Sequence, residues 1–243
     1  SLAIKGNLYA NRHLELVAGQ NVTIEGQIGV KGTRFDGTAA GSIAEVLISA
    51  KGSSQILQAT TEYEAILGID FNGDGDLKDS RQGAPVLTDS GFINIQAAAL
   101  PADRFELRAA KDIYVKLAGG LTMSGFIGGL SGYTSARNVT LDIGGKLTVL
   151  GGIVAADRAS GQLDVKAAEI AADGASVFIA GDLNVQSVNG VQLNTLVNTI
   201  TLRTTGAGNV SINESDALYV KSVVAQQGRI DITAGGGESG AAS

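Results

Sequence analysis

Gly145-Lys146-Leu147-Thr148-Val149, Gly161-Gln162-Leu163-Asp164-Val165, Gly181-Asp182-Leu183-Asn184-Val185 and Gly228-Arg229-Ile230-Asp231-Ile232 follow one formula: glycine, polar, apolar, polar, apolar. In an extended chain, successive side chains point to opposite faces, so each unit offers two apolar groups to one side and a polar group to the other. Glycine ahead of the unit lets the chain turn. A turn followed by a very short strand, repeated, describes a chain that bends every few residues.

The same alternation runs outward from these units in both directions. Leu14-Glu15-Leu16, Val22-Thr23-Ile24-Glu25, Ile93-Asn94-Ile95 and Leu141-Asp142-Ile143 carry it toward the N-terminus. Val177-Phe178-Ile179, Ile200-Thr201-Leu202, Val210-Ser211-Ile212 and Leu218-Tyr219-Val220 carry it toward the C-terminus. The units are unevenly spaced, so the repeat lies in the unit and not in a fixed length. This pattern predicts an all-β chain wound as a parallel β-solenoid, a right-handed β-helix whose inward side chains fill a narrow core. A β-sandwich predicts longer strands and some Trp in the core, and Trp is absent. With ~22 residues per coil and ~4.8 Å between stacked strands, the chain predicts about eleven coils, roughly 50 Å in length.

Composition agrees with that reading. Apolar residues are 44% of the 243, enough for a substantial core, while aromatics are 5%, which leaves Ile, Val, Leu and Ala to build it. Glycine numbers 34, about twice the usual ~7%, and proline only 2, Pro85 and Pro101. Glycine set between regular apolar units punctuates structure; a disordered linker lacks such units. The net charge of −6 and a pI near 4.8 exclude nucleic acid as a partner, since phosphate contacts need a basic stripe. There is no cysteine, hence no disulfide and no thiolate site. The uncharged stretch Leu117 to Ala136 is long enough to span a membrane. Its six glycines and its hydroxyl residues predict strands and turns instead, with no membrane insertion.

One segment breaks the pattern. In Asp70-Phe71-Asn72-Gly73-Asp74-Gly75-Asp76-Leu77-Lys78-Asp79, the oxygen-bearing side chains of Asp70, Asn72, Asp74, Asp76 and Asp79 crowd together. Counting Asp70 as the first ligand puts Asn72 third, Asp74 fifth and Gly75 sixth, where a calcium loop must turn sharply. Dense hard oxygen ligands favour calcium over a transition metal. Asp and Asn with Gly also make turns with no metal, but four carboxylates this close repel one another without a cation. The expectation is a calcium site that pins an insertion. The loop resembles those of EF-hands, dockerins and thrombospondin type-3 repeats over about seven residues, then departs: the closing twelfth position is Arg81. Asp79, or Glu62 and Glu64 upstream, are left to close the site.

The expected organisation is solenoid over 1–59, an inserted calcium-binding loop over 60–83, solenoid again over 84–236, and a Gly/Ser-rich tail over 237–243. Both ends read as cuts through a longer polypeptide.

Candidates for catalysis are few. His13 is the only histidine and stands beside Arg12 and Glu15, which reads as a surface residue and assembles no Ser-His-Asp arrangement. Asp103, Arg104, Arg108, Lys111 and Asp112 are the nearest approach to the clustered acids and bases of a β-helix lyase or hydrolase, and they read as a solvated strand or loop. Gly128-Gly129 and Gly151-Gly152 lack the Gly-Lys-Ser/Thr of a phosphate loop. Asn21-Val22-Thr23, Asn138-Val139-Thr140 and Asn209-Val210-Ser211 match the glycosylation sequon, but Asn ahead of a strand is a natural turn residue.

Residues 206–220 (Gly-Ala-Gly-Asn-Val-Ser-Ile-Asn-Glu-Ser-Asp-Ala-Leu-Tyr-Val), followed by 228–236 (Gly-Arg-Ile-Asp-Ile-Thr-Ala-Gly-Gly), resemble the strand repeats of filamentous-haemagglutinin-like adhesins and related giant bacterial extracellular proteins. The resemblance extends loosely over 1–59 and 84–236. It implies a secreted or cell-surface scaffold, part of a much longer chain, with no catalytic residues. The resulting expectation is a calcium-stabilised structural or adhesive segment, not an enzyme. Its partners would be neighbouring repeats or like subunits, and a cell-surface or matrix polysaccharide. The alternative is a β-helix polysaccharide lyase or glycoside hydrolase.

Overall fold

Short alternating strands bury one face only when other strands cover it, and here the covering strands come from the next turn of the same chain. The computed structural model describes residues 1–30, 39, 41–50, 54–55, 86–87, 91–129 and 137–235. It is a parallel β-solenoid, and its coils visit three strand ladders in a constant order. On the first face, Leu2–Lys5, Val22–Gly26, Ile93–Ala97, Ile113–Leu117, Val139–Ile143 and Gln162–Ala167 stack in parallel. The second half of Val177–Ser187, the last part of Val191–Ala207, and Tyr219–Gln227 continue the stack. The second face includes Leu121–Met123, Lys146–Val149, Glu169–Ala172, the start of Val191–Ala207, Val210–Glu214 and Ile230–Ala234. The third includes His13–Ala18, Ile43–Ala50, Ala102–Ala109, Gly125–Gly129, Ile153–Ala155 and the first half of Val177–Ser187.

Among the described residues the first face therefore carries nine stacked strands, fewer than the eleven coils expected. Coil length is not the reason, because in-register partners lie as expected: 20 residues apart from Leu2 to Val22, 26 from Ile113 to Val139, 24 from Val139 to Leu163, 20 from Leu163 to Leu183 and 17 from Leu183 to Ile200. The reason is one step of 70, from Asn21 to Gly91. The extra length lies between Ala50 and Gly91. At its foot Ser54–Gln55 pairs with Val86–Leu87, the one antiparallel pairing among the described residues. A parallel ladder cannot let a chain leave and return at one point; an antiparallel pair can. The expected insertion over 60–83, with Asp70, Asn72, Asp74, Asp76 and Asp79, lies outside the described residues.

The core follows the alternation. Val22, Ile24, Ile93, Ile95, Leu141, Leu163, Leu183 and Ile200 stack inside as aliphatic rungs, all essentially excluded from solvent. One unit is read in the opposite phase. Phe178 points inward at 0% exposure, while Val177 and Ile179 are half-buried. Alternation cannot phase three apolar residues in a row, and here the largest one takes the core. At the C-terminal end, Tyr219 is 66% and Val220 42% exposed, because no described strand covers the outer edge of that coil.

The asparagines ahead of the strands act across coils. The Asn21 side-chain oxygen accepts from the Gly91 N–H (2.6 Å), that of Asn138 from Gln162 N–H (2.9 Å), and that of Asn209 from Arg229 N–H (3.0 Å). Each satisfies a corner N–H that the strand ladders do not reach. At another corner the backbone demands glycine. Gly125 has φ +111, and a Cβ there would lie 2.4 Å from the Phe105 carbonyl oxygen one coil away. Gly125→Val is expected to destabilise the chain by at least about 2 kcal/mol in urea unfolding. Gly174→Ala, where a Cβ meets nothing within 4 Å, should shift the midpoint little.

Candidate functional site

The outward positions of the first face form continuous columns, because parallel strands in register stack like residues on like positions. One column runs Lys5, Glu25, Gln96, Lys116, Asp142, Lys166, Gln186, Arg203. Beside it runs a second, from Asn94 and Tyr114 through Thr140, Asp164 and Asn184 to Thr201. Over their C-terminal part lies an open cavity of about 980 Å³, walled on one side by Gly144, Ala168, Val188 and Thr205. Small residues at that corner keep the wall low. Shallower hollows over Tyr114 and Asp142, and over Phe92 and Tyr114, continue the groove toward the N-terminus.

The charges in the groove are unequally engaged. Asp142 lies between two lysines, 3.9 Å from Lys116 Nζ and 3.5 Å from Lys166 Nζ. Both lysines are more than half exposed, so these pairs are weak and exchangeable. Asp164 accepts from Gln162 Nε2 (2.8 Å) and Asn184 Nδ2 (2.9 Å), which fixes its carboxylate among neutral amides. Arg203 is exposed and, among the described residues, makes no ion pair or side-chain hydrogen bond. The groove thus offers one free guanidinium, two loosely paired ammonium groups, fixed amides, and a half-buried tyrosine ring at one end. That donor set is chemically suited to anions and hydroxyls.

The sequence candidates lie elsewhere. His13 sits on the third face with Nδ1 3.1 Å from Glu45 and Nε2 3.5 Å from Glu15. Arg104 pairs with Glu45 (3.4 Å) and Glu106 (2.7 Å), and Arg108 pairs with Glu106 (3.1 Å) and stacks over the Phe126 ring at 4.4 Å. These residues form one alternating network on the outside of the third face. Asp103 accepts from the Ser42 hydroxyl, and Asp112 takes the Asn138 N–H at a corner. They therefore line a solvated strand and turn. Among the described residues, no group of three or more acids and histidines could hold a metal. No helix among them is long and apolar enough to cross a membrane.

A second polar centre is internal. Glu214 ends the strand Val210–Glu214 with its side chain inside the coil, only 1% exposed. Its carboxylate accepts the N–H of Val197 (3.1 Å), Ser215 (3.0 Å) and Asp216 (3.3 Å). Burial pushes the Glu214 carboxyl above its ordinary range, and the neighbouring Asp216 carboxyl adds to that. Asp216 itself pairs with Arg158 at 3.0 Å. Asp182 shows the opposite shift: hydrogen bonds from Lys221 and Thr199 hold its carboxyl below the usual range.

Reading the sequence unit by unit misses the groove. Lys166, Gln186 and Arg203 each follow the second apolar residue of a unit, Val165, Val185 and Leu202, whereas Asp142 is the middle residue of Leu141-Asp142-Ile143. Only the ladder register puts Lys116 and Asp142 in the same column; uneven coil lengths hide it from any search at fixed spacing. Compared with protein-family models, with curated proteins and with solved structures, the chain matches none.

Proposed function

We propose that this chain is a structural or adhesive segment of a large bacterial extracellular or cell-surface protein, stiffened by calcium in its insertion. The observation that carries the reading is the long parallel ladder among the described residues. Nine strands stack on one face, so backbone hydrogen bonds run along the axis over a continuous aliphatic core. Such an element resists bending and holds displayed groups at fixed spacing. The last coil, with Tyr219–Gln227 and Ile230–Ala234, leaves strand edges unpaired among the described residues, and such edges recruit further strands. Neighbouring repeats of the same chain, or like subunits assembled into filaments or a surface layer, are the partners proposed to cover them.

Calcium titration tests the stiffening. One ion per chain is expected to bind and to raise the temperature of unfolding, with both effects lost in Asp70→Asn/Asp74→Asn. No heat of binding at millimolar calcium would remove the metal from this reading. A second reading, a polysaccharide lyase or glycoside hydrolase, is favoured by one observation: Asp142, Asp164, Lys166 and Arg203 share a groove. Turnover assays on acidic and neutral polysaccharides, with calcium present, separate the two. Robust cleavage lost in Asp142→Asn or Asp164→Asn would replace the scaffold by an enzyme.

A further inference from the structure

The groove on the first face has a charge period. Along its column the cations Lys116, Lys166 and Arg203 alternate with the non-cationic rungs Asp142 and Gln186. Adjacent rungs of a parallel ladder are ~4.8 Å apart, so the cations recur roughly every 9.5 Å along the axis. An extended, equatorially linked pyranose chain advances by about one strand spacing per ring. A disaccharide therefore covers two rungs. A linear glycan with one carboxylate per disaccharide presents its charges at the spacing of these cations, and its uncharged rings fall opposite the intervening rungs.

We propose that the first face is a binding track for such a glycan, laid parallel to the solenoid axis. Arg203, the unpaired guanidinium, takes a carboxylate in two parallel hydrogen bonds. Lys166 and Lys116 take the next two, exchanging their exposed contacts with Asp142 for the ligand. The amides of Asn184 and Gln186 serve ring hydroxyls between the charges, and Tyr114 offers an apolar face for one ring at the far end. Asp142 and Asp164 repel a polymer charged on every ring, so the track selects for charge period as well as charge. The inference deepens the adhesive reading and rests on it for the class of partner.

The test is calorimetric titration of the full chain with a hyaluronan octasaccharide, which carries one uronate per disaccharide. Saturable binding is expected. It should weaken about tenfold in Arg203→Gln, vanish in Lys116→Gln/Lys166→Gln/Arg203→Gln, fall as salt is raised, and persist in Lys146→Gln on the second face. Chitooctaose, uncharged, should not bind, and a galacturonate octamer, charged on every ring, should bind less well. All variants change exposed side chains, and circular dichroism checks their fold. No binding at millimolar octasaccharide overturns the proposal. So does an affinity that Arg203→Gln leaves unchanged, or tighter binding of the galacturonate octamer. A chain that binds calcium and cleaves nothing but ignores hyaluronan loses the track and keeps the scaffold. One that binds the octasaccharide through Arg203 and hydrolyses it keeps the track and loses the scaffold.

Discussion

Phe178→Ala is expected to destabilise the chain by about 3–5 kcal/mol, the range for deleting a buried aromatic side chain. Phe178 is fully buried and sits in register with Val154 on the coil before and Thr195 on the coil after. The buried ring therefore sits on a strand flanked by ladder partners on both sides. Backbone hydrogen bonds on both sides hold the ladder spacing, so the walls cannot close on the space it leaves. Urea unfolding followed by circular dichroism reads the loss as a lower midpoint. The half-buried neighbour Ile179 points the other way, and Ile179→Ala should cost no more than about 1 kcal/mol. Equal losses at the two positions would reverse the phase assigned to this strand. In a stacked array each coil contacts only its neighbours. Hydrogen exchange in Phe178→Ala should therefore rise first in Ile153–Ala155 and Val191–Ala207, and least in Leu2–Lys5.

Glu214 governs how the third face ends. Its last rung is Thr195–Val197 of Val191–Ala207, in register with Phe178–Ala180, because the chain from Ser215 to Leu218 forms no strand. The Val197 N–H has no further carbonyl to meet, and the buried Glu214 carboxylate accepts it instead. Glu214→Leu removes that acceptor and strands the donor, at an expected cost of about 1–3 kcal/mol. Glu214→Gln keeps an acceptor and abolishes the ionisation. The sign of the pH effect follows from the raised carboxyl. Folding raises its pKa above the ordinary 4.5, so the native chain holds this proton more tightly than the unfolded one. The stabilisation is complete below that ordinary value and is lost as pH rises through the raised one. Unfolding free energy of the parent minus that of Glu214→Gln should therefore fall from pH 4 toward pH 8. Taking the difference cancels Asp182 and also Asp173, whose carboxyl the Ser176 hydroxyl and the Gly151 N–H hold below the usual range; both contribute with the opposite slope. A flat difference would mean that Glu214 titrates alike in both states.

What the amino-acid sequence determined by itself is the class of fold. Period-two alternation in units such as Leu141-Asp142-Ile143 and Leu163-Asp164-Val165, with glycine or asparagine at the bends and no tryptophan, admits short strands and a narrow aliphatic core. Those are local properties: each unit declares its own two faces. Phase failed only where the unit lost its contrast, in Val177-Phe178-Ile179, where side-chain volume decided which residue went inside. The tertiary structure alone decided which outward residues meet. Lys116, Lys166 and Arg203 are separated by loops of unequal length, and only the hydrogen-bonded register brings them onto one axis. It also decided that Glu214 lies inside, since a carboxylate reads as surface until a missing strand leaves a buried N–H for it to accept. Chain distance carries no information about coil-to-coil neighbours when coil length varies. Stacking supplies it, because the ladder N–H groups of each coil find carbonyls on the coils before and after it.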